Sequence, residues 1–401
     1  MISFVVRYIA VAILFLSILY GQNDAPRVFS IDPQVIIKIK NSYKKGDPKE
    51  NQTINQFLIS ADKLIQKKIH TIIEKEEIPP SGSKHDYLSM GIYWWPDPQK
   101  KDGLPYIRKD GERNPEINKI TDDRYKSEMI ESVRDLAYAF YFSGEEKYFI
   151  KAVDYLHSWF INEKTKMNPN LNYAQFIPGV TEGRAAGIID IHGLYQLVDA
   201  IGILETSDKW NKNDDSALKN WFSEMLNWLL ISKNGIAESK AKNNHGSWYD
   251  VQIVSISLYL GKTEQAKDFL NRAKEERFSK HLKGDGKQPA ELVRTNSWSY
   301  SAFNLAALFN LASLGERAGI DLWNYTNSEG GSLRKSLDYL LPSALDAEQW
   351  HDQQIKKIDP FSIYPQLLVA SKKFDANLYS DWIHKIFGNQ VKDKFINLFW
   401  N

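Results

Sequence analysis

The sequence predicts an all-α protein in which about six to seven helical hairpins form an (α/α) toroid or incomplete barrel. Apolar residues recur at helical spacing along much of the 401-residue chain, and several of these stretches end in glycine-containing turns. No stretch alternates polar and apolar residues convincingly, so we expect few strands. The hairpins share no strict sequence period, which disfavours a regular solenoid.

The clearest predicted hairpin begins with residues 123–142, where Met129, Val133 and Leu136 form an apolar stripe. A Ser-Gly-Glu-Glu break follows, and residues 147–160 return with a similar stripe. Further helices are expected over residues 188–204, 216–231, 248–260, 263–277, 300–318 and 333–345.

Irregular segments with unusual side chains separate these helices. They cover residues 84–123, 168–187, 235–248 and 283–299. Because a toroid gathers its loops around a cleft at one end, we expect the functional site there. No low-complexity linker divides the chain, which indicates one large domain over residues 22–401.

Residues 1–21 are typical of a secretory signal peptide. One positive charge precedes an apolar run shorter than the about 20 residues that a membrane span needs, and a polar stretch follows. An uncleaved membrane anchor is the alternative. We expect an exported protein, periplasmic or secreted. The absence of cysteine excludes disulfides, thiolate chemistry and a lipid anchor on cysteine.

The charge balance and composition narrow the class of partner. With 51 basic and 50 acidic residues, the chain has a net charge of +1, which argues against nucleic acid as a partner. Once the signal peptide is removed, it also argues against binding to a membrane surface. Aromatic residues make up 13% of the chain and either fill interhelical space or stack on sugars. The sequence does not predict an oligomeric state.

Several enzyme classes lack their signature in this sequence. There is no HExxH motif, no calcium-loop pattern and no GxSxG motif, so metal and serine hydrolases are disfavoured. A glycoside hydrolase needs two facing carboxylates, and this alternative stays open. Its candidates are Asp190, Asp250, Asp285 and Glu291.

The most informative motif is NNHGSWYD, at residues 243–250. Asparagine competes with its own backbone in a helix, so two in a row need an explanation, and a helix N-cap explains only one. Asn244 and His245 can together hold and neutralise a carboxylate. That is one requirement for β-elimination in a polyuronide, which also needs a base for the C5 proton and an acid for the C4 oxygen.

A tyrosine can supply the base and the acid if nearby cations lower its pKa from about 10. Tyr300 is the candidate, because the polar loop at residues 283–299 leads to it. Arg294 would bind a carboxylate or lower the pKa of this tyrosine, and Glu291 would orient Tyr300. In the alternative, Arg294 pairs with Glu291 and Tyr300 belongs to the core.

These motifs resemble the alginate-lyase-type (α/α)-toroid polysaccharide lyases. NNHGSWYD is followed by GDGKQPAELVRT, SWSY and FNLAAL, and preceded by YWWPDP at residues 93–98 and a QFIPG to GRAAGIID block at residues 175–190. The resemblance covers about residues 86–364. It is strongest to polysaccharide lyase family thirty-eight and weaker to family five.

The resemblance implies cleavage of alginate, or a related polyuronate such as glucuronan, to 4,5-unsaturated ends without a metal or organic cofactor. Asn244 and His245 would neutralise the carboxylate, Tyr300 would transfer the proton, and Arg294 would support them. Tyr300 would be base and acid for mannuronate, whereas His245 is the better base for guluronate. The expected substrate-binding residues are Tyr93, Trp94, Trp95, Gln175, Arg184, Asn243, Trp248, Tyr249, Glu291 and Trp298.

Two other functions remain as alternatives. One is a glycoside hydrolase on the same toroid, and the other is a non-catalytic protein whose aromatic residues stack on an acidic polysaccharide.

Overall fold

The computed structural model describes residues 25–391 and 394–400. The predicted signal peptide lies outside these ranges. The helices of ten or more residues are α1 (Pro33–Lys45), α2 (Pro48–Ile65), α3 (Asp122–Ser143), α4 (Glu146–Leu156), α5 (Leu194–Leu204), α6 (Lys212–Ile231), α8 (Asn244–Tyr259), α9 (Thr263–Ala273), α12 (Ser297–Ala318), α13 (Leu333–Leu345), α14 (Tyr364–Lys373) and α15 (Ala376–Phe387).

Shorter helical pieces lie in the connections. Three of them are α-helical: α7 (Lys233–Glu238), α10 (Ser279–His281) and α11 (Pro289–Leu292). Turns of 3-10 or π helix cover Ile72–Glu74, Pro115–Lys119, His157–Ile161, Ala185–Ile191, Lys274–Phe278, Ala347–Gln349, Pro360–Ile363, Gly388–Val391 and Phe395–Phe399.

The long helices follow one another as six pairs, and an inner row runs through the molecule. In this row α3 packs on α5, α5 on α8, and α8 on α12. Their partners α4, α9 and α13 pack on α3, α8 and α12 respectively. The predicted all-α toroid of helical hairpins is therefore confirmed.

Periodicity found most of these helices but not all of them. The eight predicted helical ranges coincide with helices in the structure, apart from their ends. Helices α1, α2, α14 and α15 lie outside the predicted ranges. The signal for α1 was nevertheless present, because Asp32 caps its first turn, Pro33 begins it and Gly46 ends it in a left-handed conformation.

Strands are few and short in the described part of the chain, as predicted. They are β1 (Leu88–Met90), β2 (Trp94–Trp95), β3 (Ile107–Arg108) and β4 (Tyr173–Phe176). β1 pairs with β4 in parallel, and β2 pairs with β3 in an antiparallel hairpin. These pairs order two of the irregular segments that surround the site.

Helix α8 is buried on all sides. Ile253 and Ile256 pack into the core of the N-terminal half, whereas Val251 and Val254 pack into the core of the C-terminal half. His245 is the only residue of α8 that is not buried. The helix therefore presents a single side chain to the outside, at its first turn.

Among the described residues, one helical stretch, Ala185–Leu204, is long and apolar enough to span a membrane, and 67% of its most apolar 18-residue window is buried inside the fold. That burial is the behaviour of a core segment.

A buried ion pair joins α8 to the turn that follows α9. Asp250 is fully buried and accepts hydrogen bonds from Arg277 Nε at 2.8 Å and Arg272 Nη2 at 2.7 Å. Arg277 also donates to the carbonyl oxygen of Ala241, just before α8. A Cβ on Gly246 would stand 2.7 Å from the guanidinium carbon of Arg277, so glycine permits this approach. The network fixes the position of the first turn of α8.

We expect Asp250→Ala to lower the free energy of unfolding by about 3–5 kcal/mol, because it leaves the buried Arg277 without its counterion. Chemical denaturation measures this loss. The matched control is Asp285→Ala, which removes an exposed carboxylate 3.3 Å from Lys287 and should cost less than about 1 kcal/mol. Equal losses in the two variants would contradict the structural role of Asp250.

Candidate active site

The four irregular segments come together, as predicted, around the first turns of α8 and α12. Asp110 of the first segment binds Arg294 of the fourth, and Tyr93 of the first segment binds Tyr300 in the first turn of α12. A third contact joins Asn244 to Glu291. The β1–β4 pair holds the second segment beside the first.

His245 forms a dyad with a glutamate that sequence reasoning missed. Its Nδ1 lies 2.6 Å from Oε1 of Glu238, at the end of α7. The side chain of Glu238 is only 4% exposed, and that of His245 is 21% exposed. Glu238 lies seven residues before His245 and belongs to no recognisable motif, so only the short α7–α8 connection brings them together.

Asn243 and Asn244 have different roles. Asn243 is the N-cap of α8, since its side chain accepts from the backbone N–H of His245. Asn244 is fully buried, and its backbone N–H and Nδ2 donate to the two carboxylate oxygens of Glu291 at 2.6 and 2.7 Å. Burial raises the pKa of Glu291 to about 7, against the opposing effect of these hydrogen bonds. Glu291 therefore orients Asn244, not Tyr300 as expected.

Tyr300 lies in the first turn of α12, and its hydroxyl donates to the Tyr93 hydroxyl at 2.6 Å. The guanidinium carbon of Arg294 stands 3.8 Å from the centre of the Tyr300 ring. Burial raises the pKa of Tyr300 well above its usual value, and Tyr93 raises it further, while Arg294 lowers it less. The expectation of a tyrosine with a lowered pKa is therefore wrong.

Arg294 is held by an aspartate of the first segment. Its Nε and Nη2 donate to Asp110 Oδ2 and Oδ1 at 3.1 and 2.7 Å. Burial of Asp110 raises its pKa, but the hydrogen bonds from Arg294 and Thr295 hold it well below the usual range. The predicted alternative, an Arg294–Glu291 pair, is not formed. Arg294 thus reaches the ring of Tyr300 while its charge is balanced by Asp110.

Gln175 and Arg184 form a second cluster with Asp190. Gln175 Nε2 donates to Asp190 Oδ1 at 2.9 Å, and Arg184 Nη2 donates to Gln175 Oε1 at 2.6 Å. Gln175 has a φ of 49°, a strained conformation for a residue other than glycine. Arg184 Nε is buried without a hydrogen-bond partner among the described residues. The cluster therefore keeps a guanidinium with unused donor capacity.

The aromatic residues divide into two groups. Trp94 and Trp95 are half-buried on β2, where cations accompany them: Arg184 lies 6.0 Å from the ring of Trp94, and Lys109 lies 5.1 Å from that of Trp95. With Tyr93 they keep partly exposed rings that a sugar can reach.

The other three aromatic candidates belong to the core. Trp298 is fully buried, and Tyr249 is buried with its hydroxyl bonded to the carbonyl oxygen of Leu229. Trp248 is 3% exposed and lines a partly open cavity of 710 Å³ that neither His245 nor Tyr300 lines. Packing leaves Tyr249 and Trp298 no open face and Trp248 faces a separate cavity, so the expectation that these rings bind substrate beside His245 and Tyr300 is not met.

The four acids proposed for the hydrolase alternative each bind another residue of the protein. Asp250 pairs with two arginines, Glu291 binds Asn244, Asp190 accepts from Gln175, and Asp285 is an exposed partner of Lys287. Across residues 25–391 and 394–400, no group of His, Asp and Glu is placed to hold a metal ion. His245, Tyr300 and the Tyr93 hydroxyl beside it are the other groups in the cluster that can transfer a proton.

Comparisons with known proteins found one matching family and several similar structures. Residues 72–350 match the family model described as alginate lyase. The crystal structure of an alginate lyase from Bacteroides ovatus is 36% identical, with a TM-score of 0.87 over 94% of this chain and 99% of that chain. No match was found among curated proteins.

More distant structures share the fold. A histidine variant of alginate lyase A1-III, complexed with a tetrasaccharide, is 13% identical, with a TM-score of 0.57 over 87% of this chain and 88% of that one. Alginate lyase A1-III from Sphingomonas species A1 is 14% identical, with a TM-score of 0.52 over 81% and 80%. The family model spans most of this chain and the Bacteroides ovatus enzyme aligns with nearly all of it; the chain therefore belongs to the alginate lyase family of polysaccharide lyases.

Proposed function

We propose that the protein cleaves alginate by β-elimination, with His245 and Tyr300 as the proton-transfer groups. Family membership supports the reaction class, and the His245–Glu238 dyad is the observation that supports the assignment of the base. Elimination removes the proton at C5, next to the uronate carboxylate, and expels the C4 glycosidic oxygen. The products are a new reducing end and a 4,5-unsaturated uronate.

His245 has the arrangement of a general base. An ionised carboxylate only accepts hydrogen bonds, so Glu238 places the imidazole proton on Nδ1 and leaves the lone pair on Nε2. Glu238 also stabilises the imidazolium that forms after Nε2 takes the C5 proton. Because His245 is the single residue of α8 that is not buried, Nε2 is the atom of this helix suited to meet substrate.

Tyr300 is suited to act as the general acid. Its raised pKa keeps the hydroxyl protonated at neutral pH, ready to donate to the departing C4 oxygen. An enzyme with a histidine base and a tyrosine acid removes the two groups from opposite faces, as guluronate requires. On mannuronate Tyr300 would have to act as base first, which needs its proton to leave through Tyr93 or substrate.

The remaining cluster residues bind the chain of uronates. We assign the carboxylate at the cleaved unit to Asn244 and His245, and a neighbouring carboxylate to Arg184, whose Nε has no partner among the described residues. Tyr93, Trp94 and Trp95 would stack on sugar rings at the mouth of the site. The apolar leader at residues 1–21 is the basis for proposing export to the periplasm or the medium.

The function is tested by ultraviolet absorbance while the protein acts on alginate, glucuronan and pectin. A rise in the band of a conjugated uronate on alginate is the expected result. New reducing ends without this absorbance would indicate a hydrolase, and retention of the polymer without either would indicate a binding protein. Both of these outcomes would contradict the proposal.

Tyr300→Phe should lower kcat by roughly 10²–10⁴-fold, because the leaving oxygen loses its proton donor. Substrate binding, measured by calorimetry with an alginate oligosaccharide, should stay close to that of the unmodified protein. Tyr379→Phe is the control, since it removes a buried hydroxyl bonded to Asp338 on the distant α13. Near-normal turnover by Tyr300→Phe would show that this tyrosine is not the acid.

Glu238→Gln should lower kcat at least about tenfold with little change in KM, because the imidazole loses its fixed tautomer. The loss should be larger on guluronate-rich than on mannuronate-rich alginate. Combined with His245→Ala, Glu238→Gln should cause no further loss, since Glu238 acts through His245.

The matched control for Glu238 is Glu205→Gln. Glu205 also pairs through its carboxylate, with Arg27, at the opposite end of α8. Additive losses in the Glu238–His245 double variant, or equal losses on both alginates, would contradict the role of the dyad.

A further inference from the structure

The side-chain amide of Asn244 is only half satisfied. Its Nδ2 donates to Glu291 Oε2, and the backbone N–H of the same residue donates to Oε1. The other amide atom, Oδ1, is buried and has no hydrogen-bond partner among the described residues. A buried acceptor without a donor costs about 1–3 kcal/mol, so this arrangement lowers the stability of the folded protein.

The orientation of this amide is unsuited to an anion. Glu291 engages Nδ2, so the opposite edge of the Asn244 amide presents the oxygen Oδ1. A uronate carboxylate that approaches this edge meets a second acceptor. Rotation of the amide by half a turn would give the carboxylate the NH2 group, but would bring Oδ1 against Glu291, which as a carboxylate has no proton to donate.

We propose that Glu291 takes up a proton from solvent when a uronate carboxylate binds at Asn244, and that the amide of Asn244 turns its NH2 group to the substrate. This inference rests on the proposed function. Protonated Glu291 then donates from Oε2 to Asn244 Oδ1, while Oε1 still accepts from the backbone N–H. Every polar atom of the pair has a partner only when both the proton and the anion are bound.

The charges around Glu291 leave its ionised and protonated forms similar in free energy. Glu291 is 1% exposed, and two basic side chains face it, the guanidinium of Arg294 from the following loop and the imidazole of His245 from α8. Arg294 is already balanced by Asp110, and His245 by Glu238. Since the pKa of Glu291 is raised to about 7 by burial, one further negative charge beside it favours the protonated form near neutral pH.

Proton uptake is measured by isothermal calorimetry of an alginate oligosaccharide binding to Tyr300→Phe, which binds without turnover. Titrations at pH 8 in buffers with different ionisation enthalpies should show uptake approaching one proton per oligosaccharide. The dissociation constant should rise about tenfold per pH unit above the pKa of free Glu291. Absence of binding would contradict the proposed function itself, whereas binding without uptake contradicts only this inference.

Glu291→Gln in the same background tests the assignment, because glutamine mimics the protonated glutamic acid. Its NH2 can donate to Asn244 Oδ1 while its oxygen accepts from the Asn244 backbone. We expect proton uptake to vanish and the affinity at pH 8 to be retained or increased at least about fivefold. If Glu291 stays ionised and has only a structural role, Glu291→Gln should bind the oligosaccharide more weakly.

Histidine is the other group that can take up a proton near neutral pH. The control is therefore His245→Gln in the Tyr300→Phe background, which removes this source and keeps Glu291. Uptake that persists in His245→Gln and disappears in Glu291→Gln supports the proposal. The reverse pattern assigns the proton to His245 and overturns it.

Discussion

The burial of α8 is the constraint on which the rest of the structure depends. This helix contributes apolar side chains to the cores of both halves, so its position is fixed along its whole length. The Asp250–Arg277 pair fixes its start, because Arg277 also binds the chain just before the helix. His245 therefore stands on a rigid element, as catalytic groups need if they are to keep their geometry.

Carboxylates control the functional groups of this site more than cations do. Glu238 holds His245, Glu291 holds Asn244, and Asp110 holds Arg294. Each acid accepts from a residue that has a proposed role with substrate, and thereby sets its tautomer, orientation or charge. Because these acids cancel the local positive charge, the pocket around the reacting unit has little cationic surplus. In the proposed mechanism, Arg184 and proton uptake compensate the charge of an anionic substrate.

The sequence predicts the helical architecture well because each long helix carries its own apolar stripe and its own turn residues. It also points to Asn244, His245, Arg294 and Tyr300, which the structure gathers around the first turns of α8 and α12. It does not identify Glu238 or Asp110, because their partners are set by how the loops cross. It misplaces Trp248, Tyr249 and Trp298, since an aromatic residue beside a functional motif looks the same whether it faces sugar or core.

The environment of Tyr300 constrains the order of events in the reaction. Burial and Tyr93 keep its proton on, and Arg294, which would draw the proton off, is neutralised by Asp110. A tyrosine in this setting is protonated at neutral pH and so is not available as a base, but it can still protonate the more basic alkoxide oxygen that leaves C4. If a bound uronate displaces the Tyr93 hydroxyl, or if Asp110 releases Arg294, the balance moves toward tyrosinate. The route that uses Tyr300 as base therefore depends on the first segment changing its contacts, whereas the proposed route through His245 keeps these contacts as they are.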